Sequence, residues 1–350
     1  LRQVRTRIVR VRQLLSCLTS EHPEQEAARL LAGFVSVGRD RRSLRNLWAT
    51  NSSLLAAKVT ERSAETGEHY ISHNRSEYLQ MVRRAAGGGL LMSVTTLLKF
   101  GLAALAFSAF WGGFWAGVNY SISFVLIQLL HWTVATKQPA MTAPAMAAKL
   151  KDMQSSEDAA HTLEAFVDEV ANLVRTQVAA ILGNVLVVFP AALILSLLWW
   201  QMFGATPLDA AHAQSTLDSL HVLGPSALFA AYTGVLLFAS SLIAGWVENW
   251  FVLRRLDSAI RYNPRFTRWL GKGRAKRWGD FWRANISGFA ANISLGMMLG
   301  LTPAIAAFFG LGLEVRHVTL SSGQLGVASA TFGLGVFALP AFCGPWPCCR

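Results

Sequence analysis

Three features point to an all-α, polytopic helical membrane protein with an N-terminal helical region. Of the 350 residues, 53% are hydrophobic and only 15% are charged, well short of the about 25% charged residues of an average soluble domain. Six stretches, near 90–110, 113–134, 179–203, 225–252, 284–309 and 324–342, are apolar and long enough to cross a bilayer core, which takes about 20 helical residues for about 30 Å. Basic residues alternate between the connections. Residues 1–89 hold fifteen Lys and Arg, 135–178 hold four and 253–283 hold ten, whereas 111–112 and 204–224 hold none and 310–323 hold Arg316 alone. Lys and Arg collect in cytoplasmic loops, so the expectation is a multi-pass bacterial inner (cytoplasmic) membrane protein with its N-terminal region in the cytoplasm.

The elements follow in order. Residues 1–86 read as a cytoplasmic helical region and 87–350 as the transmembrane helical domain. "VRTRIVRVRQLLSCL" sets Val4, Ile8, Val11, Leu15 and Leu18 at helical spacing. "SEHPEQEAARLLAGFVSVG" has Ser20 as a cap, an early Pro23 and acids in its first turn. Ser43 caps a third helix through Leu44, Leu47, Trp48, Leu55 and Val59, and "SEYLQMVRRAA" forms a fourth, stopped by Gly87, Gly88 and Gly89. The first two spans are expected to share a turn at Trp111 and Gly112. Pro303 is expected to kink or break the fifth span, and the sixth is the weakest, being rich in Gly and Ser. The chain opens at Leu1, so a natural start upstream is expected.

Polar residues inside these spans are the first candidates for function. Lys99 counts to near the bilayer centre, where an ammonium should face protein or water rather than lipid. Glu248, in "GWVENWFV", is a candidate partner; snorkelling of the lysine stem is the alternative. Asn119, Tyr120, Ser121, Ser123, Gln128 and His131 put polar atoms on several faces of the second span, either to bond neighbouring helices or to line a hydrated path. In the fifth span Asn285 and Asn292 share a face, and Gly296 and Gly300 make a small-xxx-small pair suited to close packing. Glu314, Arg316 and His317, in "LEVRHVTLSSGQ", read as a local salt bridge, with an external site as the alternative. His212 and His221 flank Asp209 and Asp218 at loose spacing. The four cysteines match neither zinc nor disulfide spacing, and no metal and no cofactor is expected.

The segment "RRLDSAIRYNPRFTRWLGKGRAKRWGDFWR" carries Arg254, Arg255, Arg261, Arg265, Arg268, Lys272, Arg274, Lys276, Arg277 and Arg283 among six aromatic residues. Such a mixture suits anionic lipid headgroups and also nucleic acid. Because both ends join membrane spans, the lipid bilayer is the nearer partner.

The segments "TGEHYISHNRSEYLQMVRRAAGGG", "VNYSISFVLIQLLHWTVATKQPAMTAP", "GWVENWFVLRRLDSAIRYNP", "ISGFAANISLGMMLG" and "LEVRHVTLSSG" resemble a family of proteobacterial membrane proteins known as site-specific recombinases, of the gonococcal Gcr type. The resemblance spans about residues 65 to 335 and implies a DNA recombination activity. Residue chemistry gives that activity no motif. No histidine is followed by arginine three positions on, the last tyrosine is Tyr262 inside the basic segment, and the N-terminal region reads as helical, without the sheet of a serine recombinase. The two functions carried forward are a transport, channel or envelope-scaffold role and a membrane-anchored recombinase or DNA-binding role.

Overall fold

Apolar runs of helical length become helices throughout. The computed structural model describes residues 22–42, 71–134, 159–221 and 224–333, with isolated positions between 11 and 20 and between 146 and 150. Among the described residues there is no strand. The chain divides into two compact units, Leu1–Ala57 and Lys58–Arg350. In the first, helix α1 (Pro23–Arg42) starts at a proline with Glu24 and Glu26 in its first turn, where missing N–H groups and the helix dipole favour both. The expected helix over 43–59 lies outside the described residues.

The second unit holds nine helices described along their whole length: α2 (Arg75–Ala104), α3 (Ala109–Leu129), α4 (Ala159–Phe203), α5 (Ala210–Ser219), α6 (Ser226–Leu253), α7 (Leu256–Tyr262), α8 (Pro264–Leu270), α9 (Lys272–Phe308) and α10 (Val318–Phe332). Five of them, α2, α3, α4, α6 and α9, are long and apolar enough to cross a membrane. The protein is therefore an all-helical membrane protein.

Helix α2 begins with a reciprocal cap. Asn74 Oδ1 accepts from the Glu77 N–H at 2.9 Å, and Glu77 Oε2 accepts from the His73 N–H at 2.8 Å, the arrangement that satisfies the free donors of a first turn. It then runs unbroken through Gly87–Gly89, where a stop was expected. The glycines serve close approach instead: a Cβ at Gly88 would sit 2.0 Å from the Thr133 carbonyl oxygen. The chain turns over Leu105–Ser108, with Ala106 at φ 51, rather than at Trp111 and Gly112, which are helical in α3. Hydropathy could not place that turn because Leu105, Ala106 and Phe107 are themselves apolar. Helix α9 passes through Pro303 and ends only at Phe308, with Gly310 at φ 66 beyond it.

Helices α2, α4 and α9 start at the end of the unit that carries the 254–271 connection, called here the basic end. Helix α3 packs antiparallel to α9, with Gly113 against Gly300 and Ala304, Gly117 against Met297 and Gly296, and Ser121 against Gly296. Helices α2 and α4 pack in parallel, Gly183 meeting Val82 and Ala85, and Gly89 meeting Asn184 and Val188.

The expected sixth span at 324–342 falls partly on helix α10, which starts earlier, at Val318; the part of that span beyond Gly333 lies outside the described residues. Helix α10 has 15 residues, about 22 Å at 1.5 Å per residue, and residues 334–350 lie outside the described part. Its direction is read from its contacts. Thr319 meets Asn184, Gly323 meets Thr96, Gly326 meets Phe189 and Ala192, and Thr331 bonds Leu208 near the opposite end. It thus runs parallel to α2 and α4, away from the basic end. After α9 has reached the opposite end, residues 311–317 carry the chain back inward in non-helical conformation, and α10 climbs out again. This is a re-entrant element.

Candidate functional site

Non-helical backbone at membrane depth is tolerated only where protein buries it or water reaches it, so the re-entrant element is where chemistry is sought. Its outer part is open: Leu311, Gly312 and Glu314 are exposed, and Leu313, Val315 and Arg316 are partly buried. The backbone N–H groups of residues 312–315 meet no acceptor among the described residues. Arg316 anchors the segment. Its backbone N–H donates to Thr233 Oγ1 of α6 at 2.9 Å, and its guanidinium donates to the Ser219 carbonyl at 2.9 Å, pairs with Glu314 and lies over the Phe229 ring at 5.6 Å. At the inner end His317 is buried against the Phe124 ring, 5.6 Å between centroids.

Lys99 belongs to this group. Because α2 ends at Ala104, Lys99 stands about 8 Å from the helix end by helical rise, not at mid-span. Arg316 and Glu314 are near enough to act on it electrostatically, with no ion pair formed to it among the described residues, and its ammonium lies 5.3 Å from the Phe100 ring. Glu248 is buried near the end of α6, which leads into the basic connection, so the two do not meet. The mismatch came from counting depth along a span that the structure divides at Leu105.

The other intramembrane candidates are spread over separate helix contacts. Asn119 Nδ2 donates to the Thr95 carbonyl at 2.9 Å, and Thr95 Oγ1 lies 2.7 Å from Ser123 Oγ. Tyr120 is buried among Met92, Phe124 and Leu299. Gln128 joins Asn285 and Asn292, its Nε2 donating to Asn285 Oδ1 at 3.2 Å and its Oε1 accepting from Asn292 Nδ2 at 2.5 Å. His131 is exposed at φ 55 in the turn that ends α3. The Arg and Lys residues of the basic segment lie on α7, α8, the first half of α9 and the turns joining them.

Two clusters had no signal in the residue pattern. Asn184 of α4, fully buried, donates to the Ala85 carbonyl and, at 3.2 Å, to the Thr133 carbonyl, and its Oδ1 lies 3.3 Å from Thr319 Oγ1. One amide thus ties α2, the chain after α3, and α10 to α4. Glu169, largely buried, pairs with Lys149 and with His73 Nε2 at 2.9 Å. Neither residue sits in a motif, and only packing reveals them. At the opposite end Asp209 caps α5; the His212 backbone N–H, and next its ring, hold the Asp209 carboxyl below its ordinary range. Among the described residues no His, Cys, Asp and Glu group could hold a metal ion.

Fold and site together define a polytopic helical membrane protein with a re-entrant segment ahead of α10. The chain belongs to the site-specific recombinase family, whose sequence model matches residues 1–345. No curated protein and no solved structure matches it.

Proposed function

We propose that the protein acts in passage of a solute across the bacterial inner membrane, with the N-terminal region and the 253–283 connection on the cytoplasmic side, and that the re-entrant element is the part that admits the solute. The observation that carries this reading is the run of backbone N–H groups over 312–315 that meet no acceptor among the described residues and lead inward to Arg316 and His317. Such groups need water, and discontinuous helices beside hydrated backbone are the usual means by which transporters build a site. Lys99, Glu314 and Arg316 place charge at the mouth, opposite the basic end. The Lys/Arg asymmetry supports the orientation.

The test is cysteine accessibility in whole cells, with the four native cysteines replaced. Single cysteines at Leu313, Val315 and His317 are expected to react with a membrane-impermeant maleimide added from outside, while Leu299→Cys stays inert. Silence at all three positions, with a permeant maleimide reacting normally, would remove the reading.

The family name favours a second reading, DNA strand exchange at the basic end, and one residue gives it substance. Tyr262 is 77% exposed beside Arg261 and near Arg265, the residue types of a phosphotyrosyl intermediate and its charge stabilisation. This reading requires a covalent protein–DNA adduct that Tyr262→Phe abolishes. No adduct with the solubilised chain leaves solute passage alone.

A further inference from the structure

We infer that the α7–α8 cap and the adjoining turns of α9 form a binding surface for anionic phospholipid headgroups of the leaflet at the basic end. The first ground is charge. Residues 253–283 contain two acids, Asp257 and Asp280, and both face Arg261, Asp257 at 3.9 Å and Asp280 in direct contact. The remaining cations of the segment have no carboxylate at ion-pair distance among the described residues, and all of them except Arg283 are exposed. The surface is therefore a dense positive field with its own acids already engaged, complementary to phosphodiester groups.

Position is the second ground. Helix α7 starts three residues after α6 ends and lies on α9 at Gly279, where an added Cβ would meet the Asp257 carbonyl at 2.9 Å and Arg261 Cγ at 2.7 Å. Gly279 is five residues before the apolar run that begins at Ala284, about 8 Å along the helix. That spacing sets the α7 contact within reach of the headgroup layer. Aromatic chemistry is the third ground: Trp269 is 82% and Tyr262 77% exposed, and rings with one polar atom settle at the membrane–water boundary. A nucleic-acid face would use the same cations, but nothing about that use favours holding the rings beside the bilayer.

The experiment uses the full chain in nanodiscs of mixed phosphatidylglycerol and phosphatidylcholine, with lipid retained on re-extraction into mild detergent measured by mass spectrometry. Wild type should retain phosphatidylglycerol several-fold above the bulk ratio, less so at high salt. The variant carrying Arg265→Gln, Arg268→Gln and Lys272→Gln should return to the bulk ratio with an unchanged melting temperature. A variant that retains phosphatidylglycerol like wild type overturns the inference. So does a wild type at bulk ratio that binds a DNA duplex through the same three residues. The result does not depend on whether any solute crosses the membrane.

Discussion

The α3–α9 and α4–α10 contacts both combine glycine approach with side-chain hydrogen bonds, but in different proportion: a row of three small residues carries the first, whereas Gly326 and the Asn184 amide carry the second. Gly113, Gly117 and Ser121 recur every four residues on α3 and face Gly296 and Gly300 on α9, so the two backbones nearly touch. Small residues at this spacing let dispersion act along the whole contact. The α4–α10 contact is bolted at Asn184, one amide bridging several strands of chain, and beside it the backbone is non-helical. A seam of glycines has one close-packed arrangement. A polar bolt has bonds that water can replace, which suits the solute passage proposed for this element. The difference teaches how much of each contact rests on backbone approach and how much on one side chain.

The contrast can be broken most severely at Gly300. A Cβ there would lie 2.3 Å from the Gly117 nitrogen and 2.4 Å from the Gly113 oxygen, backbone atoms that no rotamer change relieves. Gly300→Leu is expected to exceed the about 1–3 kcal/mol of ordinary overpacking and to abolish the monodisperse peak in detergent gel filtration. A wild-type elution and melting temperature would refute the close approach. Asn184→Ala comes next. Loss of its bonds should cost about 2 kcal/mol, at about 0.6–1.7 kcal/mol per interhelical bond, read as an earlier unfolding midpoint. It should also raise maleimide labelling at His317→Cys, whereas labelling across the α3–α9 contact stays silent. Smallest is Ser123→Ala, which removes the Thr95 contact and should shift the midpoint by about 0.6 kcal/mol. A larger shift there than at Asn184 would reverse the ranking.

The spans were legible because hydropathy acts residue by residue. Helix α6 falls within one residue of its expected limits, and the Gly296–Gly300 spacing announced a close contact before its partner was known. Helix starts were less legible. Helices α4 and α9 begin well before their apolar runs, since amphipathic turns such as Leu163–Gln177 carry helix into the aqueous side. The inward return of the re-entrant element was not legible, although its Glu314, Arg316 and His317 stood out as a candidate external site. "LGLEVRHV" is short and mixed in polarity, and only Thr233, Ser219 and Phe124, distant in sequence, pull it inward. Lys99 was recognised as costly where it stands, yet its neighbours come from that same unforeseen return.

Helix α9 is continuous over 37 residues, about 55 Å at 1.5 Å per residue, whereas a bilayer core is about 30 Å thick. Roughly its first third protrudes, and α7 and α8 are clamped to that part. The same rod meets α3 along the glycine seam farther up. The cap and the glycine seam are therefore held at a fixed separation along one unbroken helix.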